Sequence, residues 1–418
     1  MLSYVSHLTS YITMSFDLST DLNQRKQQNL FRENKIALSA QGPRMVFDLG
    51  QGKQEYLTFC SNDYLGLANH PDVKKAFQQT ANEFGVGSGA AHLVNGHSIH
   101  HQKLESDIAQ WAGREAALLF STGYMANMGC INALLNKEDA IFQDKWNHAS
   151  LLDGGLLSGA RFQRYLHNDM GNLETRLKKS ADTYRRKLIV TDGVFSMDGD
   201  TAPLTEISTL AHTYDAWTMV DDAHGLGVLG DTGAGICQSQ NLSQKEVPIL
   251  MGTLGKGVGT AGAFVAGSKE LIEYLTNFAR PYIYTTAMPA AIAAATSKSI
   301  EIIKGASDKR EHLQNLIKQF RNGAKQLGFE LMDSASGETS ELTAIQPILI
   351  GDAQQALNIS EQLKDLGIMV TAIRPPTVPQ GTSRLRITLS ASHDATMVNQ
   401  LLDALESIKK QINTAGPL

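Results

Sequence analysis

The amino-acid sequence predicts an α/β protein with a mostly parallel central sheet flanked by helices, followed by a smaller C-terminal α+β domain. Short β-rich runs alternate with helical stretches after residue 100, which is the pattern of strands joined by crossover helices. The apolar residues of these runs do not alternate with polar ones, as expected for strands that are buried on both faces. Polar clusters follow the runs, at the strand ends where such sheets bind ligands.

The predicted elements follow one another in chain order. Strands of the large domain are predicted at residues 116–120, 140–143, 188–191, 217–220, 249–251 and 262–266, with a helix at 124–135. The amphipathic segment 308–327 predicts a connecting helix, and the later elements are a strand at 343–350, helices at 353–366 and 394–412, and a strand at 384–389. We therefore expect a helical N-terminal arm with short strands over residues 1–60, a large domain over 61–305 and a small domain over 306–418.

Composition excludes several classes of protein. The 418 residues include 37 Lys and Arg against 42 Asp and Glu, a net charge of −5, so the broad basic surface of a nucleic-acid binder is missing. No apolar run is long enough to span a membrane. The sequence predicts a soluble globular protein of two to three domains.

Three widely separated cysteines, Cys60, Cys130 and Cys237, suit reduced thiols in the cytoplasm and not a disulfide framework. The first residues lack the features of a signal peptide, and Met14 is an alternative start.

Lys256 stands in the glycine-rich segment 252–259 (GTLGKGVG). Glycines let a bulky ligand approach the backbone, and a desolvated lysine loses its proton readily, as an imine-forming lysine must. The alternative is a surface lysine in a glycine turn. A P-loop is excluded, because Leu250 and Gly257 stand where that motif requires glycine and a hydroxyl residue.

Asp221 follows a predicted strand 35 residues before Lys256, about one βαβ unit, so both side chains would lie at strand ends of one sheet. A carboxylate here either caps a helix or holds a proton on a heteroaromatic nitrogen, such as that of pyridoxal phosphate. Gly123 and Tyr124 lie in a turn at a predicted helix start, which either is a plain N-cap or binds a phosphate. Thr253 would add a hydroxyl.

Histidines offer weaker signals. His148 lies between a strand and a helix, and its ring either stacks on a cofactor or is hydrogen-bonded in a loop. His97, His100 and His101 have helical spacing, for which we favour a solvated helix face over a metal site. Three glycine patterns, at residues 85–90, 225–230 and 257–262, lack the strand–helix context of a dinucleotide fingerprint, so a nicotinamide cofactor is rejected.

Four segments together resemble the α-oxoamine synthases, which are fold-type I pyridoxal-phosphate enzymes that join an amino acid to an acyl thioester with loss of CO2. The segments are residues 61–66 (SNDYLG), 192–200 (DGVFSMDGD), 220–225 (VDDAHG) and 253–257 (TLGKG). Residues 371–379 and 381–386 look most like the members that use L-alanine and pimeloyl thioester in biotin synthesis. Residues 87–92 (GSGAAH) depart from the glycine-rich loop of many relatives, so no role is assigned there.

The resemblance implies a role for each matching residue. Lys256 would be the imine lysine, Asp221 the partner of the pyridine nitrogen and His148 the residue stacked on the ring. The remaining cofactor contacts would come from His224 and Ser196 near the phenolic oxygen and from Gly123, Tyr124 and Thr253 near the phosphate. The substrate contacts would come from Arg386, which clamps the carboxylate, and from Arg32, Asn62, His148 and Thr377.

The resemblance also implies a cytoplasmic homodimer that takes its acyl group from coenzyme A or an acyl carrier protein. Three alternatives are left open: a sister enzyme such as a glycine C-acetyltransferase, a pyridoxal-phosphate aminotransferase, and a regulatory or structural protein that binds the cofactor without turnover.

Overall fold

The structure is a computed structural model that describes residues 18–28, 30–50, 52–180, 183–332 and 342–414. The helices of this part of the chain are α1 (Leu18–Gln27), α2 (Pro71–Phe84), α3 (Ile99–Trp111), α4 (Gly123–Leu134), α5 (Ala149–Leu157), α6 (Met170–Ser180), α7 (Leu204–Thr213), α8 (Ile236–Ser239), α9 (Lys269–Phe278), α10 (Arg280–Ile283), α11 (Ala290–Gly305), α12 (Ser307–Gln326), α13 (Ala353–Asp365) and α14 (Ala395–Thr414). The strands are β1 (Ile36–Ala37), β2 (Arg44–Asp48), β3 (Lys53–Thr58), β4 (Ala116–Phe120), β5 (Ala140–Asp144), β6 (Arg161–Tyr165), β7 (Lys187–Asp192), β8 (Trp217–Asp221), β9 (Ile249–Thr253), β10 (Ala263–Gly267), β11 (Ile345–Gly351), β12 (Ile368–Met369), β13 (Thr371–Ile373) and β14 (Ser383–Thr388).

The central sheet has the strand order β4-β10-β9-β8-β7-β5-β6. β5 to β9 pair in parallel along this sheet, and β10 is antiparallel to both of its neighbours. The predicted, mostly parallel sheet is therefore confirmed. β6 was not predicted, because this edge strand carries exposed Arg161 and Arg164 where a buried strand would be apolar.

Helices cover both faces of this sheet. In β8, Met219 and Val220 point to opposite faces and are both fully buried. Met219 packs in the same apolar cluster as Ile131 of α4, whereas Val220 belongs to the cluster that includes Ile108 of α3. Burial on both faces explains why the strand sequences lack apolar–polar alternation.

The described residues also form two smaller sheets. β11, β14 and β13 form an antiparallel sheet in which Arg386 of β14 lies opposite both Pro347 and Thr371. β1, β2, β3 and β12 form the other, where the parallel pairing of Leu57 with Ile368 joins the N-terminal region to the C-terminal region. The domain boundaries near residues 60 and 305 stay a prediction.

Two further sequence expectations concern the whole chain. Within the described ranges, no helix is both long and apolar enough to cross a bilayer. The three cysteines are free thiols, with Cys130 and Cys237 buried. The alternative start at Met14 lies outside the described residues.

Candidate active site

The carboxyl ends of the central strands bring the polar clusters together. Asp192 ends β7 and Asp221 ends β8, and the two residues are directly paired in register. Thr253 ends the adjacent strand β9. Because these strands run in parallel, their acidic and hydroxyl side chains meet at one edge of the sheet.

Lys256 lies in the loop after β9, and its Nζ is 2.9 Å from Nε2 of His224. Burial lowers the pKa of Lys256, while the carboxylates of Asp221 and Asp192 oppose this shift. The pKa of His224 falls well below its usual value because the ring is buried and because Lys256 and other cationic groups lie near it. The pair therefore combines a neutral imidazole with an amine that deprotonates more easily than a surface lysine.

Asp221 is buried and accepts two hydrogen bonds from the protein. Its Oδ2 accepts from Nδ2 of Asn127 at 2.8 Å, and its Oδ1 accepts from the backbone N–H of Ala223 at 3.0 Å. Asn127 also donates to Oγ of Ser150 at 2.9 Å, and that hydroxyl lies 2.8 Å from Nδ1 of His148. Asn127 received no role from sequence, although it lies in α4 one helical turn after Gly123.

His148 precedes α5 at the next strand end of the sheet. Its backbone N–H donates to Oδ2 of Asp192 at 2.7 Å, which ties the loop to β7. Burial lowers the pKa of His148, opposed by the charge of Asp221. Burial and the neighbouring Asp221 raise the pKa of Asp192 well above its usual value. His148 thus presents a neutral ring at the mouth of the cluster.

The start of α4 also borders the cluster. Thr122 caps this helix by accepting the N–H of Met125 at 3.2 Å, so the N-cap interpretation holds for Thr122. Gly123 packs so tightly on Thr253 that an added Cβ would lie 2.6 Å from its Cγ2. Tyr124 is exposed, and its hydroxyl donates to Asp153.

Arg386 of β14 reaches the cluster from the smaller sheet. Its Nε donates to the carbonyl of Ser196 at 2.6 Å, and its Nη2 donates to Oδ1 of Asn62 at 3.3 Å. The same Oδ1 accepts from the hydroxyl of Tyr64 at 3.1 Å, and that hydroxyl lies 2.6 Å from Nδ1 of His224. Tyr64, which sequence reasoning missed as a site residue, therefore links Asn62 to His224.

Thr377 and Arg32 lie farther out. Thr377 is exposed and lines a cavity of about 620 Å³ together with His148 and Ser196. Arg32 is exposed between α1 and β1, and among the described residues no hydrogen bond or ion pair joins it to the cluster.

The prediction that His97, His100 and His101 share a solvated helix face is wrong in part. His97 lies before α3 and is not on its surface, and His101 is fully buried with Nε2 2.7 Å from the carbonyl of Met288. The N-terminal capping box of α3 explains the burial, because Nδ1 of His101 accepts the N–H of Ser98. In the described ranges, no cluster of His, Cys, Asp and Glu has the arrangement of a metal site.

The cluster fits pyridoxal phosphate. Oγ1 of Thr253 is buried without a hydrogen-bond partner in the described part of the chain, beside the N-terminus of α4, and these are donors that suit a phosphate. Asp221 offers a buried carboxylate for a protonated ring nitrogen. Lys256 offers a desolvated amine for the aldehyde carbon.

Comparison with known proteins agrees with this fit. The chain matches the aminotransferase class I and II family model over residues 54–405. It is 56% identical over 399 residues to the 8-amino-7-oxononanoate synthase of Cellvibrio japonicus (strain Ueda107), covering 96% of this chain and 97% of the relative. It is 55% identical over 402 residues to the same-named protein of Pseudomonas putida (strain GB-1), covering 96% and 100%.

Solved structures show the same relationship. A serine palmitoyltransferase from S. paucimobilis, bound to PLP and myriocin, superposes with a TM-score of 0.87 at 30% identity and covers 95% of this chain and 98% of that one. An 8-amino-7-oxononanoate synthase from Francisella tularensis superposes with a TM-score of 0.72 at 31% identity, covering 85% and 98%. The chain therefore belongs to the aminotransferase class I and II family of fold-type I proteins and, within it, to the 8-amino-7-oxononanoate synthases, which are pyridoxal-phosphate-dependent acyltransferases of the α-oxoamine synthase group.

Proposed function

We propose that this protein condenses L-alanine with a pimeloyl thioester to give 8-amino-7-oxononanoate, CO2 and the free thiol carrier, a reaction of biotin synthesis. The observation that carries the proposal is the placement of the Lys256 amine against His224, near the buried carboxylate of Asp221. Full-length similarity to the 8-amino-7-oxononanoate synthases supports the same reaction.

Different residues of the chain would contact the phosphate, the ring nitrogen and the ring of the cofactor. Thr253 and the N–H groups at Gly123 and Tyr124 would bind the phosphate, Asp221 would hold a proton on the ring nitrogen, and His148 would lie against the ring. His224 and Ser196 would flank the phenolic oxygen. When bound, pyridoxal phosphate supplies a positively charged ring that withdraws electrons from the α-carbon of an amino acid.

The amine of Lys256 can accept the α-proton of the amino acid, because burial lowers its pKa and so makes the neutral amine more accessible than that of a surface lysine. Arg386, anchored by Ser196 and Asn62, would bind the substrate carboxylate through its planar guanidinium. Asn62 would border that site, and Arg32 and Thr377 would contact substrate farther out.

The cavity beside His148 suits the acyl donor. Apolar groups of Trp146, Val378 and Pro379 line it, together with the cationic side chains of Lys145 and Arg164. A pimeloyl chain has a long apolar stem and a terminal carboxylate. The apolar lining would contact the stem, and the cationic lining would face the carboxylate.

We also propose that the enzyme is a cytoplasmic homodimer. Val86, Val94 and Ile99 are 86%, 77% and 69% exposed within residues 86–99, and exposed apolar side chains grouped in one segment favour burial against a second copy. Free thiols and a thioester substrate suit a reducing compartment. Light scattering of the purified protein would measure the dimer directly.

A substrate panel tests the reaction. Purified protein with pyridoxal phosphate is incubated with L-alanine or glycine and with pimeloyl-CoA, a pimeloyl-acyl carrier protein or acetyl-CoA, and both CO2 and free thiol are measured. We expect CO2 and thiol in equal amounts only with L-alanine and a pimeloyl donor. Turnover of glycine with acetyl-CoA would identify a sister enzyme, and keto-acid formation without CO2 would identify an aminotransferase. Absence of CO2 with every donor would indicate a protein that binds the cofactor without turnover.

A further inference from the structure

A continuous chain of hydrogen bonds joins Arg386 to Lys256 through the buried interior. It runs from Nη2 of Arg386 to Oδ1 of Asn62, then to the hydroxyl of Tyr64, then to Nδ1 of His224 and from Nε2 of His224 to Nζ of Lys256. Tyr64 is fully buried and has no contact with solvent. It therefore acts on any bound molecule only through its neighbours.

Tyr64 and His224 each contribute one proton to this series of hydrogen bonds. Burial raises the pKa of Tyr64 to about 12, opposed by Arg386, so the hydroxyl keeps its single proton. Burial lowers the pKa of His224 well below its usual value, so the ring is neutral and also carries one proton. A neutral imidazole has one donor nitrogen and one acceptor nitrogen.

The position of the Tyr64 proton then determines the state of His224. Oδ1 of Asn62 accepts from Arg386, which identifies this atom as the amide oxygen, and it also accepts the hydroxyl proton of Tyr64. When the Tyr64 hydroxyl donates to Asn62, its oxygen faces Nδ1 of His224 as an acceptor, and the ring proton then lies on Nδ1. In that state Nε2 is a bare acceptor that faces the amine of Lys256.

We propose that Tyr64 is a positioning residue that decides which ring nitrogen of His224 carries the proton, and that Asn62 directs this choice. The inference rests on the proposed function in so far as His224 faces the cofactor and the reacting amino acid. Because Asn62 also binds Arg386, the same chain connects the carboxylate clamp to the imidazole. Tyr64 itself makes no substrate contact, so its loss should change the chemical step more than substrate binding.

Two substitutions separate the possibilities. Tyr64→Phe keeps the ring and removes the hydroxyl, so Nδ1 loses its only partner in this chain. Asn62→Ala keeps the hydroxyl but removes its competing acceptor, so Tyr64 donates to Nδ1 and the proton moves to Nε2. Tyr214→Phe is the matched control, because it removes a tyrosine hydroxyl that donates to Glu174 of α6, outside this series of hydrogen bonds.

The experiment records ¹⁵N chemical shifts of the holoenzyme labelled at its 12 histidines, with His224 assigned from the spectrum of His224→Gln. We expect a protonated Nδ1 in the unsubstituted enzyme, a mixture of tautomers in Tyr64→Phe and a protonated Nε2 in Asn62→Ala. We also expect Tyr64→Phe to lower kcat about ten-fold, the effect of one lost hydrogen bond, with the KM for L-alanine within about two-fold.

Ring-nitrogen shifts of His224 that are unchanged in both Tyr64→Phe and Asn62→Ala would overturn the proposal. Since these shifts are measured without an acyl donor, they report on Tyr64 whether or not the proposed condensation takes place. Failure of the condensation would instead be seen in the unsubstituted enzyme, as absence of CO2 with every donor.

Discussion

Nε2 of His224 lies 2.9 Å from Nζ of Lys256, although 32 residues separate them in the chain. The contact joins the turn after β8 to the loop after β9, two neighbouring strands of the parallel sheet. Burial lowers the pKa of both groups. The contact therefore holds an amine in a state that is suited to bond an aldehyde and to move a proton.

Replacing Lys256 with alanine should abolish turnover, because no other amine is placed at this point of the described site. The variant should also lose the visible absorbance that arises when the lysine bonds pyridoxal phosphate. Absorption spectra and a CO2 assay check both effects. Lys269→Ala, on the surface helix α9, is the control and should behave like the unsubstituted enzyme. Full activity of Lys256→Ala would remove this lysine from its proposed role.

Replacing Asp221 with asparagine should keep the fold and lower kcat by about a hundred-fold or more, since the amide cannot hold a proton on the ring nitrogen. The substitution is isosteric, and the one amide oxygen of asparagine still accepts one of the two hydrogen bonds that Asn127 and Ala223 donate to Asp221. Circular dichroism would verify the fold and steady-state kinetics the rate. Asp107→Asn, at a partly exposed i,i+4 ion pair with Lys103, is the control. A near-normal kcat would contradict the role of Asp221.

The sequence predicts most of the central sheet because strands buried on both faces carry unbroken apolar runs, as Met219 and Val220 of β8 illustrate. It does not predict β6, whose arginines are tolerated at an exposed edge. The polar residues that follow the predicted strands also allow Asp221 and Lys256 to be predicted as site residues, because ligands bind at the carboxyl ends of parallel strands. Tyr64 could not be found in this way, because its partner His224 is 160 residues away and only the folded chain brings them together.

Replacing Gly123 with alanine should weaken pyridoxal-phosphate binding about ten-fold, which corresponds to about 1.4 kcal/mol. The new methyl group would lie 2.6 Å from Cγ2 of Thr253, so the start of α4 and the end of β9 must move apart. Titration of the cofactor-free protein, followed by absorbance, measures the change in Kd. Gly305→Ala is a suitable control because nothing lies within 4 Å of its Cβ position. Equal affinity in Gly123→Ala and in the control would show that this close packing does not shape the phosphate site.

A pH dependence of stability should arise at His167, which bridges two carboxylates beside the site. Its Nδ1 lies 3.0 Å from Asp144 and its Nε2 lies 2.8 Å from Asp200. Burial lowers the pKa of His167, but the hydrogen bonds and charges of Asp144 and Asp200 outweigh this effect and raise the pKa to about 9.

Because the folded-state pKa is raised, the stabilisation is fully present below the unfolded pKa of about 6.5 and is lost as the pH rises through about 9. We expect His167→Gln to lower the free energy of unfolding by about 2 kcal/mol at pH 6 and by much less at pH 9.5, after allowance for partial solvent screening. Urea unfolding at both pH values measures this difference, with the exposed His212→Gln as control. An equal loss of stability at pH 6 and pH 9.5 would mean that packing against Trp146, whose ring stacks 4.0 Å away, matters more than the charge on His167.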